Sequence, residues 1–244
     1  MPERSFMKSQ QIFYSLLLLT CVGVSAGASN NVSAQDMKLY PGKTDVYYSS
    51  GNRLPPVNRE ELNDMGKEVY DKVIQSGRSF TYDEEKNIYM GPRAIRMYSP
   101  IVGDHNSRSN QYLRYESGMD PKLRELTIMH AAISMNSSYE WTAHEETAQE
   151  VGVPQELIDV VKYIKPIPAD LGEKETAIIN LCRELVYGDH LVSSDTFAKA
   201  LALFGKKQLV EFIALLGGYT ATAMILNTFD QQLPPGKKTL LPDQ

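Results

Sequence analysis

The chain has 244 residues, with 25 Lys and Arg against 30 Asp and Glu, and so a formal net charge of −5. Its 42% hydrophobic and 23% charged residues are the balance of a globular protein, which excludes a disordered or fibrous chain. The acidic balance also excludes nucleic acid as the default partner, since no basic run exceeds the pairs Lys206-Lys207 and Lys237-Lys238.

Residues 1–34 read as a secretory signal peptide. Arg4 and Lys8 make a positive start, Ile12 to Val24 is almost uncharged around Leu16-Leu17-Leu18-Leu19, and Ala26-Gly27-Ala28 and Val32-Ser33-Ala34 offer cleavage sites. The apolar stretch is shorter than the ~20 residues of a spanning helix. The expectation is therefore an exported protein, periplasmic or secreted, with no stable membrane insertion after cleavage. Cleavage leaves Cys182 alone, so no internal disulfide forms. In the apolar run Ile178-Ile179-Asn180-Leu181-Cys182 this thiol reads as core rather than nucleophile.

Residues 35–57, rich in Tyr, Ser, Gly and Pro without a helical period, read as an extended arm or linker. Residues 58–119 begin with a capping box, Asn58 with Glu61 three residues on. Leu62, Met65, Val69, Val73 and Ile74 then recur at helical spacing until Gly77. Gly91-Pro92 and Ser99-Pro100 break the chain after that, which predicts loops with one or two short helices.

Residues 120–235 carry the main helical domain. Asp120-Pro121 sets an N-cap before a proline at the first helical position, ahead of Leu123, Leu126, Met129 and Ile133. Further helices are predicted at 138–151, from Pro154, at 173–187, at 194–204 and at 207–229, most of them closed by glycine. The last is apolar on nearly all sides and belongs in a core or a subunit interface. Residues 236–244 form a tail. No segment alternates with the period of a strand, so the fold class is all-α.

Polar residues that look out of place lie in two consecutive helices. Glu125 opens an otherwise apolar helix, and Glu140 and His144 are four apart on one helical face. A histidine beside a carboxylate is a common general acid/base unit, although the same spacing also suits an ordinary helix pair beside core aromatics. Glu125, Glu140 and His144 lack the tight His-rich spacing of a metal site, and no cofactor is expected. His105, His130 and His190 read as structural. Asn136-Ser137-Ser138 fits a glycosylation pattern but falls at a helix start, where occupancy is not expected.

Residues 120–235 resemble the carboxymuconolactone decarboxylase-like proteins, which include the alkylhydroperoxidase D-type enzymes. The resemblance rests on Arg124-Glu125-Leu126, Tyr139-Glu140-Trp141-Thr142-Ala143-His144, Glu150-Val151-Gly152-Val153-Pro154 with Glu156-Leu157-Ile158, and the closing Ala223 to Phe229 before Leu233-Pro234. It implies an alkylhydroperoxidase D-like helical bundle assembled as a trimer or hexamer. In the peroxidase branch a Cys-x-x-Cys-x-x-x-His motif works with an upstream glutamate. Here the histidine falls on His144 and the glutamate on Glu125, but the cysteines fall on Ser137 and Glu140. Neither supplies the attacking thiolate or the resolving thiol of peroxide reduction.

The resemblance thus favours the decarboxylase-like branch: a cofactor-free lyase or isomerase acting on a small unsaturated lactone or acid. It makes His144 the proton donor or base, with Glu140 orienting it or shuttling the proton and Glu125 a second carboxylate. Trp141, Tyr139 and Ser137 would line the substrate pocket. The alternatives are a peroxidase-type oxidoreductase and a non-catalytic binding or assembly protein that keeps the fold.

Overall fold

The computed structural model describes residues 38–75, 80–83 and 88–242, so the signal peptide expected at 1–34 lies outside the described residues. Those residues form eight α-helices and one short hairpin. The helices are α1 (Asp64–Gln75), α2 (Pro92–Arg96), α3 (Pro100–Gln111), α4 (Pro121–Ser134), α5 (Ser138–Glu150), α6 (Gln155–Lys162), α7 (Glu173–Val186) and α8 (Ser194–Thr228). Strands β1 (Phe80–Asp83) and β2 (Ile88–Met90) pair antiparallel, with Phe80 opposite Met90. This hairpin, absent from the periodicity, departs from an otherwise all-α fold.

The capping signal at Asn58 is real but caps a shorter element. Its side chain accepts from Glu60 N, and the turn it closes is a single 3₁₀ turn, Arg59–Glu61. The α-helix restarts at Asp64, where Asn63 Oδ1 accepts from Gly66 N at 2.8 Å. Farther along, Asp120 Oδ1 accepts from Lys122 N and Leu123 N, satisfying two of the donors that a helix start leaves orphaned. That cap launches α4, the centre of the fold: every residue from Leu123 to Ile133 is buried, and α5, α7 and α8 pack against it. Trp141, Phe212, Leu126, Ile128, Met129 and Ile178 are among the large side chains sealed in this core.

α8 is broken where the sequence places a stop. Gly205 has φ 69° and ψ 172° inside it, so the 194–204 and 207–229 segments are two helices meeting at a kink. A side chain there would be forced into the left-handed region that glycine alone occupies without penalty. By length and composition α8 could also cross a membrane, yet half of its apolar window is buried within this chain.

The segment 38–57 is not an extended linker. Tyr47 bridges to both Leu39 and Asn52, and Arg53 N donates to Phe229 O at the end of α8. Gln231, just beyond α8, ties the region together. Its Oε1 accepts from Asn52 Nδ2 at 3.1 Å and from Gly91 N at 3.0 Å, while its Nε2 donates to Gly51 O. Gly91 is the residue before α2, so the arm and the end of α8 jointly fix where α2 begins. The C-terminal residues pack as well: Leu241 is buried and Leu240 N donates to Thr142 Oγ1 on α5.

Candidate active site

α4 and α5 lie side by side, and their contact places Glu125 beside His144. His144 Nδ1 and Glu125 Oε2 are 2.6 Å apart, and Arg124 Nε donates to Glu125 Oε1 at 2.9 Å. Arg124 is itself held by Arg114 O at 2.8 Å. Burial pushes the Glu125 carboxyl up, but the hydrogen bond and charge of His144, with Arg114 and Arg124, outweigh it and hold the group below its usual 4.5. An ionised Glu125 accepts only, so Nδ1 of His144 carries the proton and donates it. The lone pair of the neutral ring is then on Nε2.

Nε2 faces the second carboxylate. Glu140 Oε1 lies 3.6 Å away, one helical turn earlier on α5, too far for a hydrogen bond but within range of a shared reacting group. Glu140 is 4% exposed. Burial pushes its carboxyl up to about 7, although His144, Arg96 and Arg114 pull the other way. The two glutamates around one imidazole therefore differ in kind: one is fixed as an anion, and the other changes its proton near neutrality.

His144 and Glu140 open onto a cavity of about 190 Å³ whose walls also include Tyr139, Tyr219, Arg96 and Arg114. The Tyr219 ring stands edge-on to His144, with centroids 5.0 Å apart and planes at 88°. Burial raises the Tyr139 and Tyr219 phenols, so both keep their protons. Gly91 permits Tyr139 its position: it has φ 87°, and a Cβ there would stand 2.7 Å from Tyr139 Oη.

The structure thus brings His144, Glu140, Glu125 and Tyr139 together, and separates Trp141 and Ser137 from them. Trp141 is buried on another face of α5, where its indole Nε1 donates to Glu145. Lys162 Nζ pairs with the same carboxylate at 3.0 Å and lies 5.6 Å from the indole centroid. Adjacent residues on a helix diverge by about 100°, and that turn carries Trp141 away from the cavity that Glu140 faces. Ser137 precedes α5 as a fully buried N-cap residue and does not line the cavity.

The other histidines lie elsewhere. His130 is sealed in α4 with its Nδ1 2.7 Å from Leu126 O, and burial lowers it to about 4. His105 and His190 are exposed. Cys182 is buried in α7, its thiol pushed up to about 12, and it is not among the cavity's walls.

Sequence reasoning missed Arg96, Arg114 and Tyr219. One signal was present: Gly91-Pro92 is a helix start with proline at N1, and it puts Arg93 and Arg96 one turn apart. Arg114 sits in a π-helical turn, Tyr112–Glu116, that extends α3 and follows no α-helical period.

Fold and site together define an all-α protein with a buried histidine–carboxylate apparatus facing a small cavity. No family model matches the chain, and no curated protein matches it. Among solved structures it is similar to a protein of unknown function from Agrobacterium tumefaciens, provisionally assigned as the antioxidant defence protein AhpD. Identity there is 18% over 57% of this chain and 94% of that one, with a TM-score of 0.51. It is also similar to an alkylhydroperoxidase AhpD core, an uncharacterized peroxidase-related protein from Ralstonia eutropha JMP134. That match has 14% identity over 76% of this chain and 93% of the other, with a TM-score of 0.56. The chain has the AhpD-like, carboxymuconolactone decarboxylase-like fold.

Proposed function

We propose that the chain is a cofactor-free lyase or isomerase that moves a proton on a small unsaturated lactone or acid. The observation that carries this reading is His144 locked through Nδ1 by an anionic Glu125, with Nε2 directed at Glu140 beside the cavity. In an isomerisation, Nε2 takes a proton from an acidic carbon and the C–H electron pair passes into an enolate. The imidazolium then returns that proton to a second carbon, leaving the enzyme unchanged. In a decarboxylation, the C–C bond to the carboxylate breaks, carbon dioxide leaves and the electron pair remains as a dienolate. The protonated Glu140 or His144 delivers a proton to carbon, and solvent restores it. Tyr139 and Tyr219, both protonated, suit donation to the enolate oxygen.

The Ralstonia eutropha structure is described as peroxidase-related, but the cavity here has no thiol in its walls and Cys182 is buried in the core. A thiol peroxidase reading therefore lacks its nucleophile in this cavity. Export and assembly as a homo-oligomer belong to the same proposal. Val210, Ile213 and Met224 remain exposed on α8 and suit a subunit contact.

The test is turnover of a panel of unsaturated lactones and their acids by the mature chain, beside His144→Ala and with peroxide plus dithiol assayed separately. Turnover is expected, and it should fall by about 10²–10⁴ in the variant. Equal turnover by the variant, or consumption of peroxide in place of lactone, would overturn the reading.

A further inference from the structure

The cavity holds more positive charge than its own acids balance. Arg96, from α2, is 8% exposed, and its guanidinium is bound by Thr222 Oγ1 on α8, 2.7 Å from Nη2. Among the described residues no carboxylate lies within ion-pair distance of it. Arg114 has a carboxylate only at the edge of ion-pair distance. Its nearest carboxylate oxygen, Glu125 Oε1, is 3.9 Å from Nη2 and already accepts from Arg124, and Arg114 Nε is buried with no partner. Facing these two guanidinium groups across the cavity is a single acid, Glu140, which His144 also approaches.

Burying a guanidinium without an anion is costly, and the cost is removed when a ligand brings the anion with it. The planar, forked guanidinium matches a carboxylate in particular. Size agrees with a small ligand: a cavity near 150 Å³ suffices for benzene, and this one is about 190 Å³. The presence of Glu140 on the same walls favours a single negative charge over two.

We propose that Arg96 and Arg114 receive the carboxylate of the substrate, so that the site takes small monocarboxylates and rejects uncharged lactones and amides of the same shape. Both arginines come from residues 92–116, before the helices that carry Glu125, Glu140 and His144. The N-terminal region thereby completes the site and sets its specificity. The inference narrows the substrate class of the proton-transfer reading and rests on it for the word substrate; the binding of a carboxylate stands by itself.

The experiment compares benzoate with benzamide, which share a shape and differ in charge, by calorimetric titration of the full chain. Benzoate is expected to bind at least about tenfold more tightly than benzamide, a ratio that one charge-assisted hydrogen bond supplies. Arg96→Gln and Arg114→Gln should each abolish that preference while leaving benzamide affinity unchanged. A merely structural role would move both ligands together. If a glutamine variant does not fold, Arg96→Lys keeps the charge but loses the fork and should weaken benzoate alone. Equal affinity for the two ligands, no saturable benzoate binding, or a preference surviving in all three variants would overturn the proposal. The proton-transfer reading is tested separately by turnover in His144→Ala, so a charge preference without histidine-dependent turnover would sink that reading and leave this one standing.

Discussion

Glu140→Gln is the substitution that most directly probes the site's electrostatics. Burial raises the Glu140 carboxyl from an ordinary 4.5 to about 7, so the folded chain binds this proton more tightly than the unfolded chain does. The group's contribution to stability is therefore whole below pH about 4.5 and is lost as the pH climbs toward 7. At about 1.4 kcal/mol for each pH unit, the loss amounts to about 3 kcal/mol by pH 8. Glutamine has no proton to release, and the variant should lack this decline. Its advantage at pH 8 should be smaller than 3 kcal/mol, because the substitution also takes a counter-charge from Arg96 and Arg114. A net gain of about 1–2 kcal/mol is expected, or a rise in melting temperature of about 3–6 °C for a domain of this size. Denaturant midpoints of both proteins between pH 4.5 and 8.5 read the effect. The wild type should lose ground to the variant up to about pH 7.5 and hold that deficit above it. Parallel curves would refute the reasoning, because they would mean that Glu140 titrates alike in the folded and unfolded chain.

Glu125→Gln should act in the opposite direction. The Glu125 carboxyl is held below 4.5 by His144 and Arg124, so its stabilisation is present above that pH and fades as the pH falls below it. Losing the anion from a buried pair should cost about 2–4 kcal/mol at pH 7, with the deficit shrinking in acid; an unchanged urea midpoint at pH 7 would contradict the geometry. The same variant should lose turnover by about 10²–10⁴, since the imidazole tautomer is no longer fixed. Cys182, 2% exposed in α7, should resist an alkylating reagent in the native chain and react only in denaturant. Labelling at the rate of a free thiol would place it outside the core.

What was readable from the sequence is what is local. Asp120-Pro121, the apolar stripe of α4, the glycine stop at Gly205 and the pairing of Glu140 with His144 all follow from spacing within one helix, and the structure has each of them. The fold class follows too, because helical caps and a 3.6-residue period repeat along most of the chain.

Contacts between elements were decided only by the tertiary structure. Periodicity made Glu140 the partner of His144, but the 2.6 Å contact belongs to Glu125, which reaches Nδ1 from a different helix. Trp141 looked like a pocket wall because it adjoins Glu140 in sequence, yet one residue along a helix turns a side chain toward another face, and there it meets Glu145. Beyond the helix start at Gly91-Pro92, which precedes Arg96, nothing in the chain singles out Arg96 or Arg114. They are singled out when Gln231 holds Gly91 in place for α2, and when a π-helical turn carries Arg114 to the same cavity. A sequence states which residues share a turn of helix. Which charged groups are buried together, and so which proton is held and which is released near neutrality, depends on distances across the fold and on the exclusion of water, and these arise only when the helices pack.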